Sequence, residues 1–112
     1  MLLTPFVATS TDEATVSFVE KYKEKTDGQI PNQFAADGYD VVMILYKACT
    51  EAGVTADMSP SDVCEALKAV LTSEDFSVDG LTGEGMTWDA SGAVSKAPRG
   101  MVIENGEYQP MD

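Results

Sequence analysis

The chain has no histidine, and its 7 lysines and arginines stand against 19 aspartates and glutamates. Without an imidazole, a serine or cysteine nucleophile lacks its usual base, so enzymatic triads are not expected. The net charge of -12 argues against nucleic acid and anionic membrane surfaces as partners, because cationic side chains supply most of the affinity for phosphate. Such an acidic surplus gives solubility and repulsion between copies, and no further function is read from it. Cysteine is scarce too. Cys49 and Cys64 alone do not make a closed tetrahedral zinc set, so no metal is expected. Both lie on apolar helix faces, where ordinary buried thiols are expected and a disulfide or reactive pair is the alternative. Long hydrophobic runs are missing: Val41 to Tyr46 holds six residues, against roughly 18 for a membrane-spanning helix. The opening MLLTPFVATS has no basic stretch before its apolar residues and does not read as a secretory signal.

What is present suffices for one core. A length of 112 residues with 44% hydrophobic content fits a single domain or a piece of one. Leu2 to Ala8 shows no helical spacing and contains Pro5, which reads as a short edge or connecting strand. Ser10 to Glu13 fits a capping box, with Ser10 as N-cap, ahead of a helix that packs through Val16, Phe18, Val19 and Tyr22 and stops at Asp27-Gly28. The segment PNQFAADGYDVVMILYKACTEAG, Pro31 to Gly53, opens like a helix start and closes on a glycine stop. Its apolar face is so wide that deep burial is expected. A third helix begins at Ser59-Pro60, serine capping and proline taking the first helical position, with Val63, Cys64, Leu67, Val70 and Leu71 as its packed stripe.

Beyond Ser73 the pattern changes to short runs with turn signals at Asp79-Gly80, Asp89 to Gly92 and Asn105-Gly106. The last, between Met101-Val102-Ile103 and Tyr108, is a strong hairpin signal. Asp89-Ala-Ser91-Gly92 lacks the remaining ligands of a calcium loop and reads as a plain turn. Gly80-Leu-Thr-Gly83-Glu-Gly85 has neither dinucleotide spacing nor a P-loop lysine, and reads as a tight connection. At the start of the second helix, Phe34 to Tyr39 mixes an aromatic, small residues and an acid where backbone N-H groups point outward. Core aromatics with a solvated or capping Asp37 are the plain account; a ligand-contacting helix end is the other.

The ordered set LLTPFVA, FVEKYKEK, PNQFAADGYD, DVCEALKAVL, DGLTGEGMTWDASGAV and GMVIENGEY resembles the C-terminal part of the type 1 periplasmic solute-binding proteins of ABC transporters, the branched-chain amino-acid branch in particular. The resemblance covers essentially the whole chain and implies a part of a protein several times longer, with two α/β lobes closing on a solute. The implied fold class is α/β: residues 1–96 as a partial lobe with helices packed on a sheet, and 97–112 as a C-terminal β-hairpin after a crossing between lobes near Ser95 to Pro98. It further implies an amino-acid ligand and an ABC permease as partners, an extracytoplasmic location, no enzymatic activity and no cofactor.

Among the site residues, Phe34 best matches the aromatic beside the ligand's aliphatic part. Asp37 would accept from an ammonium or hydroxyl, and Tyr39 would pack or hydrogen-bond in the same cleft. The groups holding the ligand's carboxylate, and most of those holding its ammonium, would lie outside this segment. The hairpin is expected to pack on the domain's own sheet or to exchange strands with a second copy in a homodimer. A ligand-sensing domain of the same fold, attached to a signalling protein, is the alternative reading. An acidic interaction module or an enzyme would leave the ordered match unexplained.

Overall fold

Local chemistry sets the element boundaries in the computed structural model, which describes residues 1–111; the last residue assigned to the hairpin segment, Asp112, lies outside them. Strand β1 is Leu2–Thr4, and helices α1, α2 and α3 are Glu13–Lys25, Gln33–Glu51 and Pro60–Leu71. Strands β2 (Val78–Gly80), β3 (Gly83–Met86), β4 (Arg99–Glu104) and β5 (Glu107–Pro110) follow. Asn32 caps α2 by accepting the Ala35 N-H at 3.0 Å. At the far end Gly53 takes a φ of +64°, and the Val54 N-H returns to the Cys49 carbonyl at 3.0 Å, which satisfies a carbonyl the helix would leave bare. Ser59 caps α3 as expected, accepting from the Asp62 N-H at 3.1 Å.

Helix α1 starts two residues later than the capping-box reading placed it. Asp12, not Ser10, is the N-cap, accepting the Thr15 N-H at 2.9 Å, while the Ser10 hydroxyl donates to Asp12 at 2.6 Å. A carboxylate outcompetes a hydroxyl for an orphan helix N-H, so the serine supports the cap in place of making it. The packed face rotates accordingly: Thr15 and Val19 are buried, Phe18 and Tyr22 half-buried, and Val16 exposed.

Two small antiparallel sheets accompany the helices, one with order β1-β4-β5 and one formed by β2 and β3. The Asn105-Gly106 turn joins β4 to β5, both residues at positive φ, +53° and +82°, as the two-residue hairpin requires. The hairpin lies on this chain's own β1, with Leu2 opposite Met101 and Thr4 opposite Arg99. Strands β1 and β5 are the two edges of that sheet. Asp89 closes its turn through the Ser91 and Ala93 N-H groups, an ordinary loop closure.

Phe6, Val19, Ala36 and Leu81 form a core cluster, with Ala8 and Phe18 packed against it. It ties the opening segment, α1, α2 and the β2–β3 turn together. Phe76, Met86 and Met101 are also buried. The molecule is elongated, 52 × 30 × 20 Å, and much apolar surface stays outside.

The deep burial expected for α2 does not occur. Val41, Val42, Met43, Leu45 and Tyr46 are exposed, whereas Ala36, Asp40 and Ala48 are the buried positions. At about 100° per residue, Phe34, Gly38, Val41, Val42, Leu45 and Cys49 share one stripe, and that stripe faces away from the chain. The side turned inward carries Asp37, Asp40 and Lys47. Likewise no residue of α3 is fully buried. Cys64 is exposed and Cys49 half-buried, both free thiols, which corrects the expectation of two core cysteines: none of the described elements fully covers those faces.

Candidate functional site

Asp40 is 3% exposed, an acid inside the apolar part of α2. Its Oδ1 accepts the Leu81 N-H at 2.8 Å, and its Oδ2 accepts the Thr82 N-H at 2.9 Å and the Thr82 hydroxyl at 2.7 Å. The β2–β3 turn is thereby clasped to the helix by three charge-assisted bonds. Gly80 makes room for them, since a Cβ there would lie 2.7 Å from Asp40 Oδ2.

Lys96 extends this cluster. Its Nζ donates to Thr82 Oγ1 at 2.7 Å and to Asp37 Oδ1 at 3.2 Å, so Asp37, Lys96, Thr82 and Asp40 form one connected polar chain. The strut ties the Ser95 to Pro98 segment, which leads into β4, back onto α2. Two turns beyond Asp40 on the same side of α2, Lys47 donates to the Ser77 carbonyl and sits 5.0 Å above the Phe76 ring.

The three residues singled out from sequence fall at different places around α2. Phe34 is 70% exposed at the helix start, on the outward stripe. Asp37, one turn on, is half-buried and ion-paired with Lys96. Tyr39 lies about 200° around the helix from Asp37, and its ring packs on Phe18 at 5.1 Å. The structure therefore brings Phe34 and Asp37 to one end of the helix and sends Tyr39 into a separate groove. That groove, a cavity of about 760 Å³ between α1, α2 and the β2–β3 hairpin, is lined by Phe18, Tyr39, Met43, Lys21, Asp79 and Arg99 among others.

Asp12 borders the same groove. Partial burial pushes its carboxyl up, but hydrogen bonds from Ser10 and Thr15 and the nearby Arg99 guanidinium together hold it below the ordinary aspartate value of 3.8. Among the described residues no three histidine, cysteine, aspartate or glutamate side chains converge as a metal site, and no helix is long and apolar enough to cross a membrane.

Asp40, Thr82 and Lys96 were not singled out from sequence. One signal was available for Asp40: an acid embedded among apolar helix residues needs donors, and a glycine-rich turn downstream supplies unpaired N-H groups. Nothing local marks Lys96, whose partners lie 14 and 59 residues away.

No family model and no curated protein matches the chain. Solved structures do. A branched-chain amino acid ABC transporter protein from Rhodospirillum rubrum is 28% identical with a TM-score of 0.72, covering 98% of this chain and 30% of that one. The chain has the fold of part of a type 1 periplasmic solute-binding protein. A leucine binding protein, LivK, from Thermotoga maritima shows the same fold at 24% identity and a TM-score of 0.62, covering 93% of this chain and 27% of that one. The chain thus spans about 30% of the length of the first of these solute-binding proteins. The α/β class expected from the sequence agrees with both structures, and the non-enzymatic character expected from it accords with what they are called.

Proposed function

We propose that the chain is a portion of the solute-binding component of an ABC-type importer, which holds a branched-chain or related amino acid between two lobes and delivers it to a membrane permease. The whole protein would work outside the cytoplasm, periplasmic or lipid-anchored. The observation that carries this reading is the match of nearly the entire chain, at a TM-score of 0.72 and 28% identity, to a branched-chain amino acid transporter protein.

In this reading Phe34 supplies an aromatic wall for the ligand's aliphatic side chain. Its exposure is what such a role requires, because a ring already packed in the core has no face to offer. Asp37 forms the polar edge of that wall, and a ligand ammonium would share or replace its bond to Lys96. Tyr39 acts from the far side of the helix, where its contact with Phe18 fixes the orientation of α1 against α2. The open edges of β1 and β5 offer a route to a strand-exchanged homodimer of the isolated chain.

The test is Phe34→Ala in a two-lobed protein carrying this chain, with L-leucine binding followed by calorimetry. Loss of the ring should weaken binding by about 1–3 kcal/mol through lost apolar contact. Unchanged affinity would remove Phe34 from the site.

A further inference from the structure

The turn between β4 and β5 brings together two features that solute binding leaves unused. Asn105 and Gly106 are both exposed. A Cβ at Gly106 would meet nothing within 4 Å, and no described residue accepts the Gly106 N-H, so its main-chain nitrogen is open to approach. Across the turn, Glu104 stands opposite Glu107. Two like charges facing each other on the closing rung of a hairpin weaken it, here on a chain whose net charge is already -12. The other asparagine, Asn32, is differently placed: its side-chain oxygen holds the Ala35 N-H at 3.0 Å, and a glutamine follows it in place of a glycine.

We propose that Asn105 is a site of spontaneous deamidation whose rate is set by the Glu104–Glu107 pair, through opening of the turn. Hydroxide takes the proton from the Gly106 main-chain nitrogen, which attacks Cγ of Asn105. A nitrogen-carbon bond forms, the bond from Cγ to Nδ2 breaks, and Nδ2 leaves as ammonia after taking a proton from water. Water then opens the five-membered imide at one carbonyl or the other, giving aspartate or isoaspartate with no change in oxidation state. In the closed turn Asn105 sits at a φ of +53°, in the left-handed region, and the imide ring needs main-chain angles outside that region. Ring closure therefore waits on opening of the turn, which the repelled rung promotes. The product places a third carboxylate between Glu104 and Glu107. The isoaspartate form also threads the main chain through the side-chain carbon, adding an atom to a turn built for two residues. Both changes oppose reclosure, so β5 loses its pairing with β4, and the Thr9 hydroxyl loses the Tyr108 carbonyl to which it donates at 2.7 Å. The proposal concerns the hairpin alone and stands apart from any bound amino acid.

The experiment incubates the purified chain in mildly alkaline buffer and follows both asparagines by peptide mass mapping. Asn105 is expected to convert to a mixture of aspartate and isoaspartate while Asn32 stays intact. Glu107→Lys, which sets an opposite charge across from Glu104, should slow the conversion by about threefold or more. The same change in an unfolded peptide of residues 102–109 should leave that peptide's rate nearly unaltered, which separates turn opening from a direct effect on the reacting amide. Added salt should slow the parent chain by screening the repulsion and should not slow Glu107→Lys. Asn105→Gly, whose Gly-Gly turn still allows both positive φ angles, should show no mass change in this peptide. In the converted chain the β5 amides should exchange hydrogen at least about tenfold faster, with those of α2 unchanged. Conversion of Asn105 no faster than that of Asn32 overturns the site. Equal rates in the parent and Glu107→Lys overturn the control by the glutamate pair, and unaltered exchange in β5 overturns the loss of pairing.

Discussion

Asp40 and Thr82, 42 residues apart, are joined twice through one carboxylate oxygen, which accepts both the main-chain N-H and the hydroxyl of the threonine. Replacing Asp40 by alanine leaves those donors and the Leu81 N-H buried without partners. Orphaned buried donors cost about 1–3 kcal/mol each, so Asp40→Ala should lower unfolding stability by roughly 3 kcal/mol or more in urea titrations. Asp40→Asn keeps the shape and one acceptor, and should cost less. An alanine variant as stable as the parent would show that the clasp carries no net stability.

Gly80→Ala should also destabilise, because its Cβ would collide with the Asp40 carboxylate at 2.7 Å. The informative measurement is the double variant. With Asp40→Ala already in place the collision is gone, so the added alanine should cost little, and the two changes should be far from additive.

Lys96→Met tests the strut to Asp37 and Thr82. Both members of the Lys96–Asp37 pair remain partly in solvent, so a loss of no more than about 1 kcal/mol is expected. The more specific readout is amide hydrogen exchange, which should accelerate in the Ser95 to Pro98 segment and leave the α1 amides unchanged. Uniform acceleration throughout the chain would mean Lys96 acts on global stability only.

Acid should loosen the start of α1 through Asp12. Its carboxyl is held below 3.8 in the folded chain, so the unfolded state binds the proton more readily. The stabilisation is therefore fully present above the unfolded value and is lost as pH falls from about 4 through the lower folded value. Asp12→Asn, still a competent cap, should flatten this part of the stability profile below pH 4 while costing less than Asp12→Ala, for which about 1 kcal/mol is expected at neutral pH. A profile unchanged by Asp12→Asn would assign the acid sensitivity elsewhere.

Features closed within a few residues were legible in the sequence. Asn32, Gly53, Ser59-Pro60 and Asn105-Gly106 act through their own side chains or their own φ angles, so their positions alone predict the helix ends and the hairpin. The start of α1 was misplaced because Ser10 and Asp12 are both competent caps, and the choice depends on which oxygen reaches Thr15. Periodicity correctly grouped the apolar residues of α2 onto shared faces. It could not say whether anything covers them, because a hydrophobic stripe reads the same whether its partner lies within the chain or outside it. For the candidate site, the family pattern singled out Phe34, Asp37 and Tyr39; the fold places the first two one turn apart and turns Tyr39 toward Phe18 in another groove, while Lys96 enters through a contact 59 residues long that no local pattern encodes.

Because α2 is anchored by directional bonds from its Asp40 and Lys47 to Leu81, Thr82 and Ser77 while its apolar stripe is already wet, melting this chain transfers less hydrocarbon into water than its composition suggests. Its heat-capacity increment should fall below the usual 12–15 cal/mol/K per residue or so. The stability curve would then be broad and shallow, changing little across ordinary temperatures, and covering the stripe would sharpen the thermal transition as well as raise it.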